Sequence, residues 1–295
     1  MSTFDRARAW DQGDLTQLLS LEDGPQDTFR ATVNDSNVNG RVYAGQLLGQ
    51  ALWAAAQTVP HRVPSTLQAT FLQGARPEDA LEYKVEALQD GRRFSSRHIY
   101  GVQGTALVLS AHATFQHPGE CIDATPRLER EVPPPESLPD LRELAERYPG
   151  QGEAAQVRFT GQPLLDIRPV NPAVYFGRTP SQNEIAYWVR LLQPLTAEGC
   201  LHHAALAYLS DCWFNGALTP PAGARELWQR HYVANLNHTL WFHTPEPACD
   251  DWLLFVSQAT RSLAGRGLAL AHIYRRDGRL IASMAQDLLT SPRTD

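Results

Sequence analysis

At 295 residues, with 43% hydrophobic and 20% charged side chains, the chain is long enough for two ordinary domains with sizeable cores. Its formal net charge of −6, with no basic cluster, argues against nucleic acid as a partner. No apolar run approaches the roughly 18 residues that suggest a membrane span. The four cysteines, Cys121, Cys200, Cys212 and Cys249, show no CxxC spacing and follow no secretory signal, so reduced thiols in a cytoplasmic protein are expected. Lys84 is the one lysine; arginine supplies the other basic residues, a bias that suits phosphate recognition.

Residues 1–28 read as a polar arm with a short helix over Leu15–Glu22, and Asp27–Val33 as a first strand. After the turn-rich Asp35–Gly40, the stretch Val42–Pro60 contains no charged residue, and its Ala, Leu and Gln content predicts a buried helix ended by Pro60. Four strand-like runs follow at Thr66–Leu72, Leu81–Gln89, Phe94–Gln103 and Ala106–Gln116, with turn signals at Asp90-Gly91 and Gly104. Short connections make these antiparallel neighbours, a sheet able to bury one face on the helix. Residues 117–156, interrupted by Pro126, Pro133, Pro134, Pro135, Pro139 and Pro149, read as a surface linker with one short helix near Leu138–Tyr148.

Strands are expected again at Val157–Val170 and Glu184–Leu192, then a second buried helix in Cys200–Phe214, then strands at Ala234–Phe242, Trp252–Ala259, Leu268–Arg275 and Leu280–Leu289. The order of strand, charge-poor helix and meander thus occurs twice. Arg97 and Arg266 stand 169 residues apart and Gln116 and Gln286 stand 170 apart, which suggests duplication; the His-Ile-Tyr triplets at His98–Tyr100 and His272–Tyr274, 174 apart, read as a coincidence. A period this long means two domains of one fold rather than a solenoid. A long buried helix wrapped by an antiparallel sheet, occurring twice, is a double hotdog of the α+β class, with domains at 1–118 and 157–295 joined by the proline-rich 119–156.

The second helix carries the candidate chemistry. Cys200–Phe214 is apolar on nearly every side, yet Asp211 lies within it, with no Lys or Arg between Cys200 and Thr219. A carboxylate in such company is costly unless paired or hydrogen-bonded, and beside a cleft it is a candidate catalytic group; the alternative is a cap on a bend before Asn215-Gly216. Other polar residues in apolar surroundings are Asn235, Asn237 and His238 in VANLNHTLWFH, and Gln286 in LIASMAQDLL. Strand alternation puts Asn235, Asn237 and Thr239 on one face and Leu236, His238 and Leu240 on the other. Each taken singly also fits a satisfied core side chain. GxSxG, HExxH, a P-loop and Cys/His zinc spacing are all missing, and Gly150-Gln151-Gly152 lies in the linker rather than between strand and helix.

Several segments in the right order resemble the type II acyl-CoA thioesterases, the TesB-like double-hotdog enzymes. These are Val42–Leu52 (VYAGQLLGQAL) and Asp90–Arg97 (DGRRFSSR) in the first half, and Ala207–Asp211, Asn237–His243 (NHTLWFH) and Ala282–Gln286 in the second, within a likeness that spans roughly residues 14 to 290. The resemblance implies hydrolysis of fatty acyl-CoA, with no cofactor and no metal, by a water held on an Asp, a Ser/Thr hydroxyl and a Gln. Those positions fall on Asp211, Asn235 and Gln286, so an asparagine stands where the family has a hydroxyl. Gln68 likewise stands where the family commonly has a histidine. An amide can still accept one hydrogen bond from water and donate another.

Helix-start N–H groups suit a thioester oxyanion, and Gly45-Gln46, opening the charge-free helix, is the candidate, with Gly45 small enough for close approach. One active site per chain is expected, because the first helix has no carboxylate. Trp213, Phe214 and Trp241 are candidates to line an acyl channel. Family members pair hotdogs between subunits, which implies a homodimer or homotetramer. A hotdog enoyl-CoA hydratase and an acyl-thioester-binding protein without turnover are the alternatives; the former wants a His near an Asp, and Asp35–Gly40 contains none.

Overall fold

The computed structural model describes residues 6–119, 124–147, 164–175, 184–195, 199–212 and 230–293. They form two compact units that do not follow chain order: Met1–Ala124 with Leu195–Cys212 and Asn237–Ala248, and Thr125–Pro194 with Trp213–Leu236 and Cys249–Asp295.

In the first unit, β1 (Arg8–Ala9) pairs in parallel with β4 (Val33–Asn34). The main sheet has the order β2 (Glu22–Asp23), β3 (Thr28–Ala31), β6 (Leu81–Asp90), β7 (Phe94–Gln103), β8 (Ala106–Gln116), β5 (Val63–Phe71). The latter half of β11 (His231–Phe242) follows β5, with Asn237–Trp241 antiparallel to Thr66–Thr70. The short helix α1 is Leu15–Leu19, stopping before Glu22 because the Ser20 N–H and hydroxyl both turn back to the Thr16 carbonyl.

The predicted charge-free helix is α2 (Ala44–Gln57). Neighbours surround it, so ten of its residues are buried, including Leu47, Leu48 and Leu52, and each such leucine contributes about 1.5–3 kcal/mol. Its C-terminus is closed by Arg97 of β7, whose Nε donates to the Thr58 hydroxyl at 2.8 Å and whose Nη2 reaches the Thr58 carbonyl at 3.2 Å. Asp90 holds the same guanidinium at 2.9 Å. The DGRRFSSR segment therefore anchors a helix end.

Of the later helices, α3 is Leu141–Arg147, α4 is Pro172–Tyr175 and α5 is Leu201–Ser210. In the first unit α5 lies antiparallel to α2. A Cβ added at Gly45 would meet the Tyr208 carbonyl oxygen, and one at Gly49 would meet that of Ala204, so the two glycines, four apart, let the helices approach backbone to backbone. Among the described residues no helix is long and apolar enough to cross a membrane.

The second unit has the strand order β14 (Leu280–Pro292), β13 (Arg266–Arg275), β12 (Leu253–Leu263), β10 (Glu184–Leu191), β9 (Leu165–Pro169), all antiparallel neighbours. In chain order, helix then antiparallel meander occurs twice, α2 before β5–β8 and α5 before β11–β14, the order of a double hotdog.

Part of the expected linker is a strap on the second unit. Leu128, Val132 and Leu138 pack on Trp188, Trp252 and Leu254. The Trp188 indole donates to the Pro133 carbonyl at 2.9 Å, and Arg168 donates to those of Pro135 and Leu138. The proline run thus covers an apolar sheet face. Gly150–Gly152 and residues 157–163 lie outside the described residues.

The internal repeat runs in a different register from the one the sequence suggests. His98 stands six residues before Gly104 and His272 six before Gly278, both glycines being at positive φ in the hairpins that follow. His98 meets Ser110 at 2.8 Å and His272 meets Ser283 at 3.0 Å, each serine on the next strand. The His-Ile-Tyr triplets thus hold the same place relative to the hairpin glycine, although His98 is paired with His112 and His272 with Ser283. Gln116 and Gln286 are not, since Gln116 is exposed and Gln286 buried, on opposite strand faces.

Candidate active site

Asp211 is the residue on which α5 ends. It sits at the C-cap with φ −89° and ψ −4°, only 7% exposed, and the next turn is closed by Cys212 N–H donating to the Leu209 carbonyl at 2.9 Å. The turn before it is held from outside the helix. Ser210 Oγ donates to the Ala207 carbonyl at 2.8 Å and lies 2.9 Å from Nε2 of the fully buried His238 on β11.

Because α2 and α5 run antiparallel, the start of α2 lies against this last turn of α5. A Cβ on Gly45 would come within 2.4 Å of the Tyr208 carbonyl oxygen and 2.4 Å of the Tyr43 ring. The Tyr43 ring meets that of Tyr208 edge-on at 5.1 Å. The N–H groups of Gln46 and Leu47 turn back to the Tyr43 carbonyl at 3.1 and 3.3 Å. That of Gly45 meets no acceptor among the described residues. Helix-start polarity, positive at α2, is thus set beside the acid-bearing end of α5.

The Gln46 side chain is committed to architecture. It accepts from Asp35 N–H at 2.7 Å, and its Nε2 shares two hydrogens among Asn34 Oδ1 at 2.7 Å, Gln50 Oε1 at 3.1 Å and the Val33 carbonyl at 3.2 Å. Gln50 in turn donates to the Leu18 carbonyl and accepts from the Tyr83 hydroxyl. Burial pushes that phenol well above its ordinary pKa, so it stays a donor. The close pass of α5 requires a residue without a Cβ at Gly45, a packing reason that the sequence alone does not show.

Gln286, on β14, is fully buried, opposite Ala269 of β13. Asn235 is half-buried near the start of β11. Further along β11, His238, Leu240 and Phe242 are buried while Asn237 and Trp241 face outward, as alternation predicts. Trp241 is 38% exposed. Trp213, Phe214 and Asn215-Gly216 lie outside the described residues.

One buried acid had no sequence signal. Asp35 follows β4, is 3% exposed, and accepts from the Tyr208 hydroxyl at 3.3 Å. In the sequence it reads as turn chemistry, and only the fold shows it beneath α5. Among the described residues no group of three or more His, Cys, Asp or Glu is placed to hold a metal ion.

Two family models cover most of the chain: an acyl-CoA thioesterase N-terminal domain over residues 33–116 and an acyl-CoA thioesterase C-terminal domain over residues 134–290. The chain belongs to the acyl-CoA thioesterase family. It is 30% identical over 300 residues to acyl-coenzyme A thioesterase 8 of Mus musculus, covering 94% of this chain and 91% of that protein. It is 29% identical to acyl-CoA thioesterase 2 of Haemophilus influenzae, covering 92% and 95%. Among solved structures, the acyl-CoA thioesterase II TesB2 of Mycobacterium marinum superposes with a TM-score of 0.74 at 26% identity, covering 94% of this chain and 97% of that one. A hot dog fold protein from Alicyclobacillus acidocaldarius, 19% identical with a TM-score of 0.73, agrees on the fold.

Proposed function

We propose that this thioesterase hydrolyses fatty acyl-CoA to the free acid and CoA, with Asp211, Asn235 and Gln286 as the set that binds and activates water. The observation that carries this reading is the placement of Asp211, a buried carboxylate at the end of α5, where that helix meets the start of α2 and the Gly45 N–H. A base and an oxyanion donor are the two groups acyl transfer to water requires.

In this reading the Asp211 carboxylate takes a proton from water as the water oxygen bonds to the thioester carbonyl carbon. The amides of Asn235 and Gln286 orient the attacking oxygen. The oxyanion that forms is received at the Gly45-Gln46 turn, with the Gly45 N–H as donor and Gln46 holding the turn in place. As the C–S bond breaks, the proton passes from Asp211 to the departing CoA sulfur, giving the free acid and the thiol and restoring the carboxylate. General-base transfer of this kind contributes about 10²–10⁴-fold.

The two halves at 1–118 and 157–295, joined by 119–156, are read as the two hotdog domains, in a homodimer or homotetramer of the cytoplasm. The test is a panel of acyl-CoAs assayed for both thiol and free acid. Equimolar release of the two is expected. Loss of an enoyl-CoA double bond without thiol release, or tight binding without either product, would overturn the assignment in favour of a hydratase or a binding protein.

A further inference from the structure

Next to the proposed base lies a buried histidine that the mechanism does not use. His238 is fully buried on β11, three residues beyond Asn235, and its Nε2 stands 2.9 Å from Ser210 Oγ, on the residue preceding Asp211. The direction of that hydrogen bond follows from counting protons. A serine hydroxyl has one hydrogen, and Ser210 gives it to the Ala207 carbonyl at 2.8 Å, an oxygen that can only accept. Ser210 Oγ must therefore accept from His238, so the imidazole carries its proton on Nε2.

The result is a relay of two oriented bonds, His238 Nε2–H to Ser210 Oγ and Ser210 O–H to the Ala207 carbonyl. It ties the final turn of α5 to a strand of the sheet. A serine bonding back to a carbonyl three residues earlier ordinarily loosens a helix end. Here the second bond, from the strand, fixes that end. Asp211 follows immediately, with the backbone of the C-cap in place.

We propose that His238 is a positioning residue for hydrolysis: through Ser210 it sets the direction of the Asp211 carboxylate. The proposal rests on the assignment of Asp211 as the base. Displacement of a catalytic group by about 1 Å can cost on the order of 10²-fold in rate, so loss of the relay is expected to act on turnover while leaving acyl-CoA binding alone.

The test compares His238→Leu, His238→Gln and Ser210→Ala with the parent, each checked for a cooperative thermal transition. His238→Leu and Ser210→Ala are each expected to lower kcat about tenfold or more with KM within about twofold, the scale of a misplaced catalytic group. The double variant should be no worse than the poorer single, because both remove one relay. His238→Gln, whose amide N–H can reach the same oxygen, should recover most of kcat. Parent-like kcat in folded His238→Leu, or additive losses in the double variant, would overturn the proposal. If His238→Leu does not fold, parent-like kcat in Ser210→Ala overturns it alone. Asp211→Asn run in parallel separates the two readings, since its retained activity would refute the base assignment whatever the relay variants do.

Discussion

Gly45 and Tyr208 are in backbone contact: a single methyl group at position 45 would sit 2.4 Å from the Tyr208 carbonyl oxygen. That oxygen belongs to a helix and cannot swing aside, unlike a flexible side chain. Gly45→Ala should therefore push α2 and α5 apart despite the better helix propensity of alanine, lowering stability by about 1–3 kcal/mol. Denaturant titration checks the loss, and thiol release should fall further than the folded fraction does, because the same contact sets the proposed oxyanion donor, the Gly45 N–H, against the end of α5 that carries Asp211.

Gln46 separates an architectural role from a substrate-binding one. Gln46→Leu orphans the buried Asp35 N–H, whose acceptor is the Gln46 amide oxygen. An unsatisfied buried donor costs about 1–3 kcal/mol, so the thermal midpoint should fall. Acyl-CoA KM in the folded variant should stay near the parent value. An increase in KM at unchanged stability would show that this side chain touches substrate.

His203 gives the fold a pH dependence with a definite sign. It is buried in the first turn of α5, bonded through Nε2 to the Thr244 carbonyl at 3.2 Å, and desolvation lowers its pKa from 6.5 to about 4. The neutral form is the folded form. Below about pH 6.5 the unfolded chain takes up the proton first, so stability present above that pH is lost as pH falls toward 4, at about 1.4 kcal/mol per pH unit. His203→Gln, which cannot titrate, should lose less stability than the parent between pH 6.5 and 4. Parallel melting-temperature profiles for the two would contradict this.

The strap over the second unit should behave as part of its core. Trp188→Ala removes a buried indole and leaves the Pro133 carbonyl without its donor. A loss of about 3–5 kcal/mol is expected, with protease cleavage appearing between Thr125 and Leu138 in the folded protein. Resistance equal to the parent would show that the strap holds on without Trp188.

Both long helices and the eight long strands of the two meanders were legible in sequence because their periods and turn residues are local. The strap was not: prolines and charges mark an irregular backbone but do not say whether Leu128, Val132 and Leu138 meet water or a tryptophan. The repeat is hidden for a related reason. Residues opposite one another across the turn are His98 and His112 in the first meander, 14 apart, and His272 and Ser283 in the second, 11 apart, so no single offset holds on both sides of the turn, and Gln116 and Gln286 lie on opposite faces. Asp211 stood out as a charge in an apolar helix, whereas Asp35 was hidden among turn residues. Gly45 was picked out by position, but its physical reason lies in a helix some 160 residues later in the chain.

The central claim is that the buried carboxylate of Asp211 is the base, and its most direct test is kcat for acyl-CoA hydrolysis by Asp211→Asn, which keeps the shape and removes the proton acceptor. A fall of about 10²-fold or more, with KM within a few-fold and a parent-like thermal transition, is the expected result. Turnover within about threefold of the parent would contradict it, being far less than removal of a general base takes away.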